Sequence, residues 1–209
     1  MDAVHNDGGM RSPWHSPKRL IDVAGAVGGL LFFLPAMTVV ALAILLEDGF
    51  PLLFRQERLG AARRPFTILK FRSMRDGEIT RVGRILRRTG LDELPQFINI
   101  LRGEMSAVGP RPLTAADTAR LGWSQPRFDF RWRVPPGLTG LAQVMGTGAP
   151  HLSLHLDRAY LIRRSLLLDL RLISLSFAIN ALGKRRVRET LARRRRSVQN
   201  RKDSRPLFT

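Results

Sequence analysis

Between Val23 and Leu46 the chain runs for twenty-four residues without a charged side chain, VAGAVGGLLFFLPAMTVVALAILL. A stretch of that length can cross the hydrocarbon layer of a bilayer, roughly 30 Å thick, and it is unusual as a core helix in a chain of 209 residues. A secretory signal peptide fits poorly, because the run is too long and no small-residue cleavage site follows before Glu47 and Asp48. A simple span is also awkward. Arg11, Lys18 and Arg19 precede the run and Arg55, Arg58, Arg63 and Arg64 follow it. Basic flanks mark the cytoplasmic side, so both ends call for the same side. Pro35, near the centre, removes one helix hydrogen bond and collides with the preceding turn. Two arms of about 12 and 11 residues are expected about a kink, each reaching roughly 17 Å, half the hydrocarbon thickness. The pattern predicts a re-entrant helix-break-helix that enters and leaves by one leaflet.

Outside that run the chain reads as a water-facing domain. With 44% hydrophobic and 25% charged residues it is neither disordered nor polytopic. The absence of cysteine removes disulfides, thiolate metal sites and thiol nucleophiles. The net charge of +18 asks for an acidic partner: nucleic acid, anionic lipid or a phosphorylated substrate. Half of the excess lies in the tail from Lys184, where eleven Lys/Arg face only Glu189 and Asp203. Such a tail reads as a solvated extension or as a polybasic patch for anionic membrane lipids. No zinc-finger spacing, RNP-like signature or repeat supports nucleic acid, so none is expected as a partner.

Pro51-Leu-Leu-Phe-Arg-Gln and Pro65-Phe-Thr-Ile-Leu-Lys-Phe-Arg are short β-prone runs about a connection containing Gly60, a β-hairpin signal. Ile79 to Arg88 and Asp92 to Leu101 read as short helices, with Pro95 tolerated in the first turn of the second. Gly109-Pro-Arg-Pro and Pro135-Pro-Gly-Leu-Thr-Gly are rigid loops, and helix returns from Leu152 to about Leu182 with a heavily apolar surface, either core or membrane-resting. The fold class expected is mostly α with a small β-hairpin, in a monotopic membrane protein. Its parts are an extension (1–17), the re-entrant helix (18–48), a catalytic domain with membrane-facing helices (49–182) and a basic, disordered tail (183–209).

Between Arg81 and Arg111 an adjacent acidic pair, Asp92-Glu93, stands among Arg84, Arg87, Arg88, Arg102 and Arg111. Acidic residues at a helix start commonly serve the helix dipole. Guanidinium forks on both sides point instead to a phosphorylated substrate gripped while one carboxylate works. Adjacent carboxylates can divide labour, one attacking phosphorus and the other holding a divalent cation; Mg²⁺ suits a site of one or two carboxylates plus phosphates. His151 and His155 have i,i+4 spacing but no accompanying HExxH pattern, and are left out of any metal site.

From Lys18-Arg19-Leu-Ile-Asp22 to about Ile173 the chain resembles the bacterial sugar transferases, monotopic phosphoglycosyl transferases acting on nucleotide sugars and polyprenol phosphate. The markers, in order, are Lys18-Arg19 with Asp22; Phe54-Arg-Gln56-Glu-Arg58-Leu-Gly60; Lys70-Phe-Arg72-Ser-Met74; Leu91-Asp92-Glu93-Leu-Pro95-Gln96; Gly103-Glu-Met105; Val108-Gly-Pro110-Arg111-Pro112-Leu113; Pro136-Gly-Leu-Thr139-Gly140-Leu-Ala-Gln143-Val; and Asp157 with Tyr160, Ser165 and Asp169.

The resemblance implies that Asp92 is the nucleophile on the β-phosphorus of a UDP-sugar, releasing UMP and leaving a phosphosugar on the aspartate that polyprenol phosphate then attacks. It implies Glu93 as a catalytic residue and the Mg²⁺ ligand, and Lys70, Arg72, Arg87, Gln96, Arg111 and Gln143 as substrate-binding residues, the two glutamines, like Gln56, being the ones that can equally well support the fold. The product would be polyprenyl-diphosphate-sugar for exopolysaccharide or lipopolysaccharide assembly, made at the bacterial inner membrane with the catalytic domain facing the cytoplasm; homodimerisation is left open. A catalytically inactive scaffold on the same fold is the rival. The chain departs from the family where Leu34 replaces a serine before Pro35, where Gln143-Val-Met145-Gly-Thr147 replaces Gln-Val-Asn-Gly-Arg, and where Pro135-Pro-Gly replaces Arg-Pro-Gly. The last two bear on the sugar more than on the reaction class.

Overall fold

The computed structural model describes residues 17–146 and 149–182. The N-terminal extension except Pro17, Thr147 with Gly148, and the whole basic tail lie outside the described residues.

The apolar run lies inside one helix, α1 (Pro17–Asp48), which continues through Pro35. The two expected arms are therefore joined as a single element, with no intervening loop. The missing proline N–H removes one rung, but the helix on either side is long enough to sustain itself. One turn on, Thr38 Oγ1 donates to the Leu34 carbonyl at 3.0 Å. Only Asp22, Ala26, Val40 and Ile44 of α1 are buried, while Leu31, Phe32 and Leu46 are 69%, 78% and 86% exposed.

Both ends of α1 are fixed to the rest of the fold by polar contacts. At the start, Arg19 donates to the Ile100 carbonyl and, at 2.8 Å, to that of Leu101. Those carbonyls end a helix and carry its partial negative charge. At the far end, Glu47 accepts from the backbone N–H groups of Arg81 and Val82 at 2.8 and 2.9 Å. Asp48 pairs with Arg72 and Arg75 at 2.8 and 2.9 Å.

β1 (Leu53–Leu59) and β2 (Pro65–Phe71) form the expected hairpin, antiparallel with Phe54 opposite Lys70. Phe66 and Ile68 are buried on one face of β2 and Leu69 and Phe71 on the other, so the strand is covered on both sides toward its end. In the connection Ala62 and Arg63 are left-handed, φ 51° and 57°. Arg63 holds the turn by pairing with Asp129 at 2.8 Å and lying 4.0 Å over the Trp132 ring. β3 (Met74–Arg75) and β4 (Glu78–Ile79) make a minimal second hairpin.

α2 (Arg81–Thr89) opens with Thr80 accepting from the Gly83 N–H and ends on left-handed Gly90. Gly83 is required by close approach, since a Cβ there would fall 2.1 Å from the Ser73 carbonyl oxygen. A 3₁₀ turn over Leu91–Glu93 leads through Pro95 into α3 (Gln96–Arg102). The expected helix from Asp92 is thus two pieces about a proline, and the acidic pair lies on the turn.

The two rigid loops flank a parallel strand pair that local patterning did not reveal, β5 (Ser106–Val108) against β6 (Gly137–Thr139). Three-residue strands carry no period to read. Between them lie α4 (Ala115–Arg120) and a 3₁₀ segment, Pro126–Trp132. α5 (Leu141–Met145), α6 (Pro150–Arg163) and α7 (Leu166–Leu182) complete the described chain. The apolar surface expected over 152–182 divides in two: Leu172 and Ile179 enter a core with Val108, Val144 and Tyr160, whereas Leu166, Leu167, Leu170 and Phe177 remain exposed. The architecture is mostly helical with small sheets and one long apolar N-terminal helix.

Candidate active site

Asp92 and Glu93 owe their position to the turn between α2 and α3. Gly90, φ 76°, reverses the chain after α2, and the Glu93 N–H returns to the Gly90 carbonyl at 3.1 Å. The turn sends the two carboxylates into different surroundings. Asp92 is 9% exposed, while the Glu93 side chain is 36% exposed and its Oε1 lies 2.7 Å from Lys70 Nζ.

Burial, followed by the charge of Glu93, pushes the Asp92 carboxyl up from 3.8 to about 6. Lys70, its own backbone N–H and Arg87 pull in the opposite direction without cancelling the rise. A carboxylate poorly solvated yet largely ionised near neutral pH is a better nucleophile than one in water. Lys70 on β2 and Arg87 in the last turn of α2 are thus cations that act electrostatically on Asp92.

The other expected site residues lie in different settings. Arg72 is committed to the end of α1: besides Asp48 it donates to the carbonyls of Asp48 and Gly49 at 2.7 and 2.8 Å. Gln96, 2% exposed, begins α3 three residues after Glu93, and its Nε2 is buried with no hydrogen-bond partner. Gln143 on α5 likewise keeps a buried Oε1 without a partner, close to Gly140, where a Cβ would meet that oxygen at 2.4 Å. Arg111 extends from the Pro110–Pro112 loop with its side chain exposed.

Arg131, which sequence reading passed over, fixes that loop. Its guanidinium, 4% exposed, donates from Nε to Asp157 at 2.8 Å and from Nη2 to the Arg111 carbonyl. Burial depresses the Arg131 pKa and raises that of Asp157, each offset by the other's charge. Arg58 joins this group by donating to Gln56 and to the Pro112 carbonyl and by facing Asp117 at 3.5 Å. Twenty-six residues separate Arg131 from Asp157, so no local spacing could have announced the pair.

Marker residues without an implied role also acquire one. Asp22 accepts from Ser106 Oγ at 2.7 Å and from the Ala107 N–H at 3.1 Å. Asp169 pairs with Lys18 at 2.6 Å and accepts from Tyr160 at 2.9 Å. Burial and the Asp169 charge push the Tyr160 hydroxyl strongly up, keeping it a neutral donor. These groups tie α1 to β5 and α7.

Among the described residues no group of three or more His, Asp or Glu could hold a metal ion alone. Glu93 nevertheless offers hard oxygen, is partly exposed, and engages Lys70 through Oε1. It could supply one oxygen ligand to a hard divalent cation such as Mg²⁺, whose other ligands would have to come from outside the described residues.

Comparison with known proteins adds the family. The chain is 46% identical over 143 residues to a UDP-glucose:undecaprenyl-phosphate glucose-1-phosphate transferase of Caulobacter vibrioides, covering 62% of this chain and 54% of the relative. It is 39% identical over 184 residues to an undecaprenyl-phosphate glucose phosphotransferase of Komagataeibacter xylinus, covering 76% of this chain and 35% of the relative. A third relative, the exopolysaccharide production protein PSS of Rhizobium leguminosarum bv. phaseoli, is 37% identical over 183 residues, covering 75% of this chain and 90% of its own length. The chain thus spans about half or less of the first two relatives. The bacterial sugar transferase model matches residues 14–182, from the first turn of α1 through the acidic turn to the end of α7, and the chain belongs to that family.

Proposed function

We propose that the protein transfers a sugar 1-phosphate from a UDP-sugar to polyprenol phosphate, releasing UMP, with Asp92 as the nucleophile. The observation that carries this reading is the unequal carboxylate pair: Asp92 buried and raised to about 6, Glu93 half-exposed and held by Lys70. The relatives' names carry the same donor and acceptor classes.

In the first half-reaction an Asp92 oxygen bonds to the β-phosphorus and the bond to the oxygen bridging the two phosphates breaks. That oxygen leaves with UMP, and the sugar phosphate stays on Asp92. In the second, an oxygen of polyprenol phosphate attacks the same phosphorus and the Asp92–phosphorus bond breaks, restoring the carboxylate and giving polyprenyl-diphosphate-sugar. Lys70 and Arg87 counter the charge that builds on the equatorial oxygens. Arg111, whose carbonyl Arg131 holds, would supply a further guanidinium to the substrate's phosphates. A Mg²⁺ ion on Glu93 would shield the diphosphate's charge from the approaching carboxylate.

We further infer a monotopic setting in which α1 enters and leaves by the cytoplasmic leaflet of the bacterial inner membrane. Support comes from polar anchors at both its ends, Arg19 on α3 and Glu47 on α2, which belong to one folded body. A helix crossing the layer would carry one end about 30 Å from that body. The exposed apolar side chains of α1 and α7 suit the same setting.

The test is the covalent adduct. Protein incubated with UDP-sugar and Mg²⁺, without polyprenol phosphate, should release up to one UMP per site and gain a sugar phosphate on the peptide containing Asp92. An adduct on Glu93 would reverse the two roles. Turnover without adduct or exchange of UMP into UDP-sugar would mean direct attack by the acceptor.

A further inference from the structure

The arginines that precede the acidic pair do not act as one cluster. Around α2, at 100° per residue, Val82 and Leu86 share one side and Arg81, Arg84 and Arg88 the opposite one, with Ile85 on one flank between them. Leu86 is buried in the cluster that contains Val40 and Ile44 of α1, and Val82 packs against it. Arg81, Arg84 and Arg88 are exposed, and Ile85 among them is 62% exposed. Arg87 falls between the two sides, and its charge is felt at Asp92.

Two features of this outer face bear on what it can bind. None of Arg81, Arg84 and Arg88 pairs with a carboxylate among the described residues, a state they share with several other described arginines, so no nearby acidic side chain offsets their charge. The face also has a fixed location. Glu47, directly after the apolar run, accepts from the N–H groups of Arg81 and Val82, so the last turn of α1 caps the first turn of α2. Whichever way α1 lies in the bilayer, the folded domain leaves it at residues 47–48, and α2 is bound to that exit. Phe50, 76% exposed, lies between the two helices in sequence.

We propose that the Arg81–Arg84–Arg88 face of α2, flanked by Ile85, is a binding surface for anionic phospholipid headgroups at the point where α1 leaves the membrane. Guanidinium groups without a carboxylate partner beside an exposed aliphatic side chain match both parts of an anionic interface: forks for phosphate and an apolar tip for the acyl boundary. Each arginine near such a surface contributes about a five-fold preference for anionic over neutral lipid, about a hundred-fold for three at most. The surface is made of residues other than those of the acidic turn, and it would hold α2, and through Gly90 the Asp92 turn, at a set height above the membrane.

Because the chain lacks cysteine, Ile85→Cys gives a single labelling site in the full-length protein. With a bimane fluorophore there, the protein is placed in nanodiscs of phosphatidylcholine with about 30 mol% phosphatidylglycerol, and one lipid or the other carries bromine as quencher. At equal mole fraction, brominated phosphatidylglycerol should quench at least five-fold more effectively. The preference should disappear in Arg81→Gln/Arg84→Gln/Arg88→Gln and fall steeply toward about 0.5 M salt. The salt titration needs no further substitution, so a poorly folding triple variant leaves the question decidable. Equal quenching by both lipids, a preference that survives the triple substitution, or displacement of phosphatidylglycerol by stoichiometric polyprenol phosphate would each overturn the proposal; the last would make the face an acceptor site.

Discussion

Lys18 Nζ lies 2.6 Å from Asp169 Oδ2, joining the first turn of α1 to the first turn of α7 across 151 residues of sequence. The pair is not isolated, since Tyr160 donates to the other Asp169 oxygen and Lys18 also faces Asp22 at 3.9 Å. The start of the apolar helix is therefore tied to a buried polar network that α6, α7 and β5 share.

Removing the cation while keeping the stem tests this tie. Lys18→Met should leave Asp169, 7% exposed, without its counter-charge. Breaking a buried pair costs roughly 3–5 kcal/mol, and the partial exposure of Lys18 reduces this to about 1–3 kcal/mol. Thermal unfolding in detergent should show a lower midpoint, whereas Lys18→Arg should recover most of it. An unchanged midpoint in Lys18→Met would show that the network does not depend on this charge.

The raised Asp92 carboxyl sets a pH dependence for turnover. Only the anion can attack phosphorus, so kcat/KM for UMP release should be level above about 6 and fall about ten-fold per unit below it. A profile flat down to pH 5 would contradict the environment described for Asp92.

The same shift has a consequence for stability, of opposite sign to that of a salt-bridged aspartate. A folded-state pKa of about 6 against 3.8 means the native protein holds the Asp92 proton more tightly than the unfolded chain does. Stability is thus lost as pH rises from about 4 to about 6. Asp92→Asn removes that titration. It should raise the unfolding midpoint at pH 7.5, by up to about 2 kcal/mol after solvent screening, and have little effect at pH 4. Turnover should meanwhile fall roughly 10³-fold, about 4 kcal/mol of barrier.

Cation dependence should run through Glu93. EDTA should abolish UMP release and Mg²⁺ restore it, with Glu93→Gln raising the Mg²⁺ concentration required by at least about ten-fold. If Glu93→Gln responds to Mg²⁺ as the wild type does, the ligand lies elsewhere.

The position of α1 can be checked with single cysteines at Ser12 and Ala61 and an impermeant thiol reagent on intact cells. Both should be protected until the membrane is broken. Labelling of one alone from outside would mean that α1 crosses.

Local chemistry in the sequence was enough to mark the apolar helix, the hairpin and the acidic pair, though it read the pair as a helix start and not as the 3₁₀ turn that precedes α3. A twenty-four-residue uncharged run, two β-prone runs about the connection containing Gly60 and adjacent Asp92-Glu93 among arginines each act within a few neighbouring residues, and helix, strand and turn preferences are short-range. Local chemistry could not say what each charge does, because that depends on what the chain brings beside it. Lys70 and Arg72 are two residues apart, yet Lys70 meets Glu93 and Arg72 meets Asp48. Arg87 and Arg88 are neighbours, yet only Arg87 is felt at Asp92. Asp92 and Glu93 share a turn, yet one is buried and the other reaches Lys70. Desolvation and Coulomb interactions depend on distance through space and on the nearness of water, and only the packing of α1, β2, α2 and α3 around the turn fixes either.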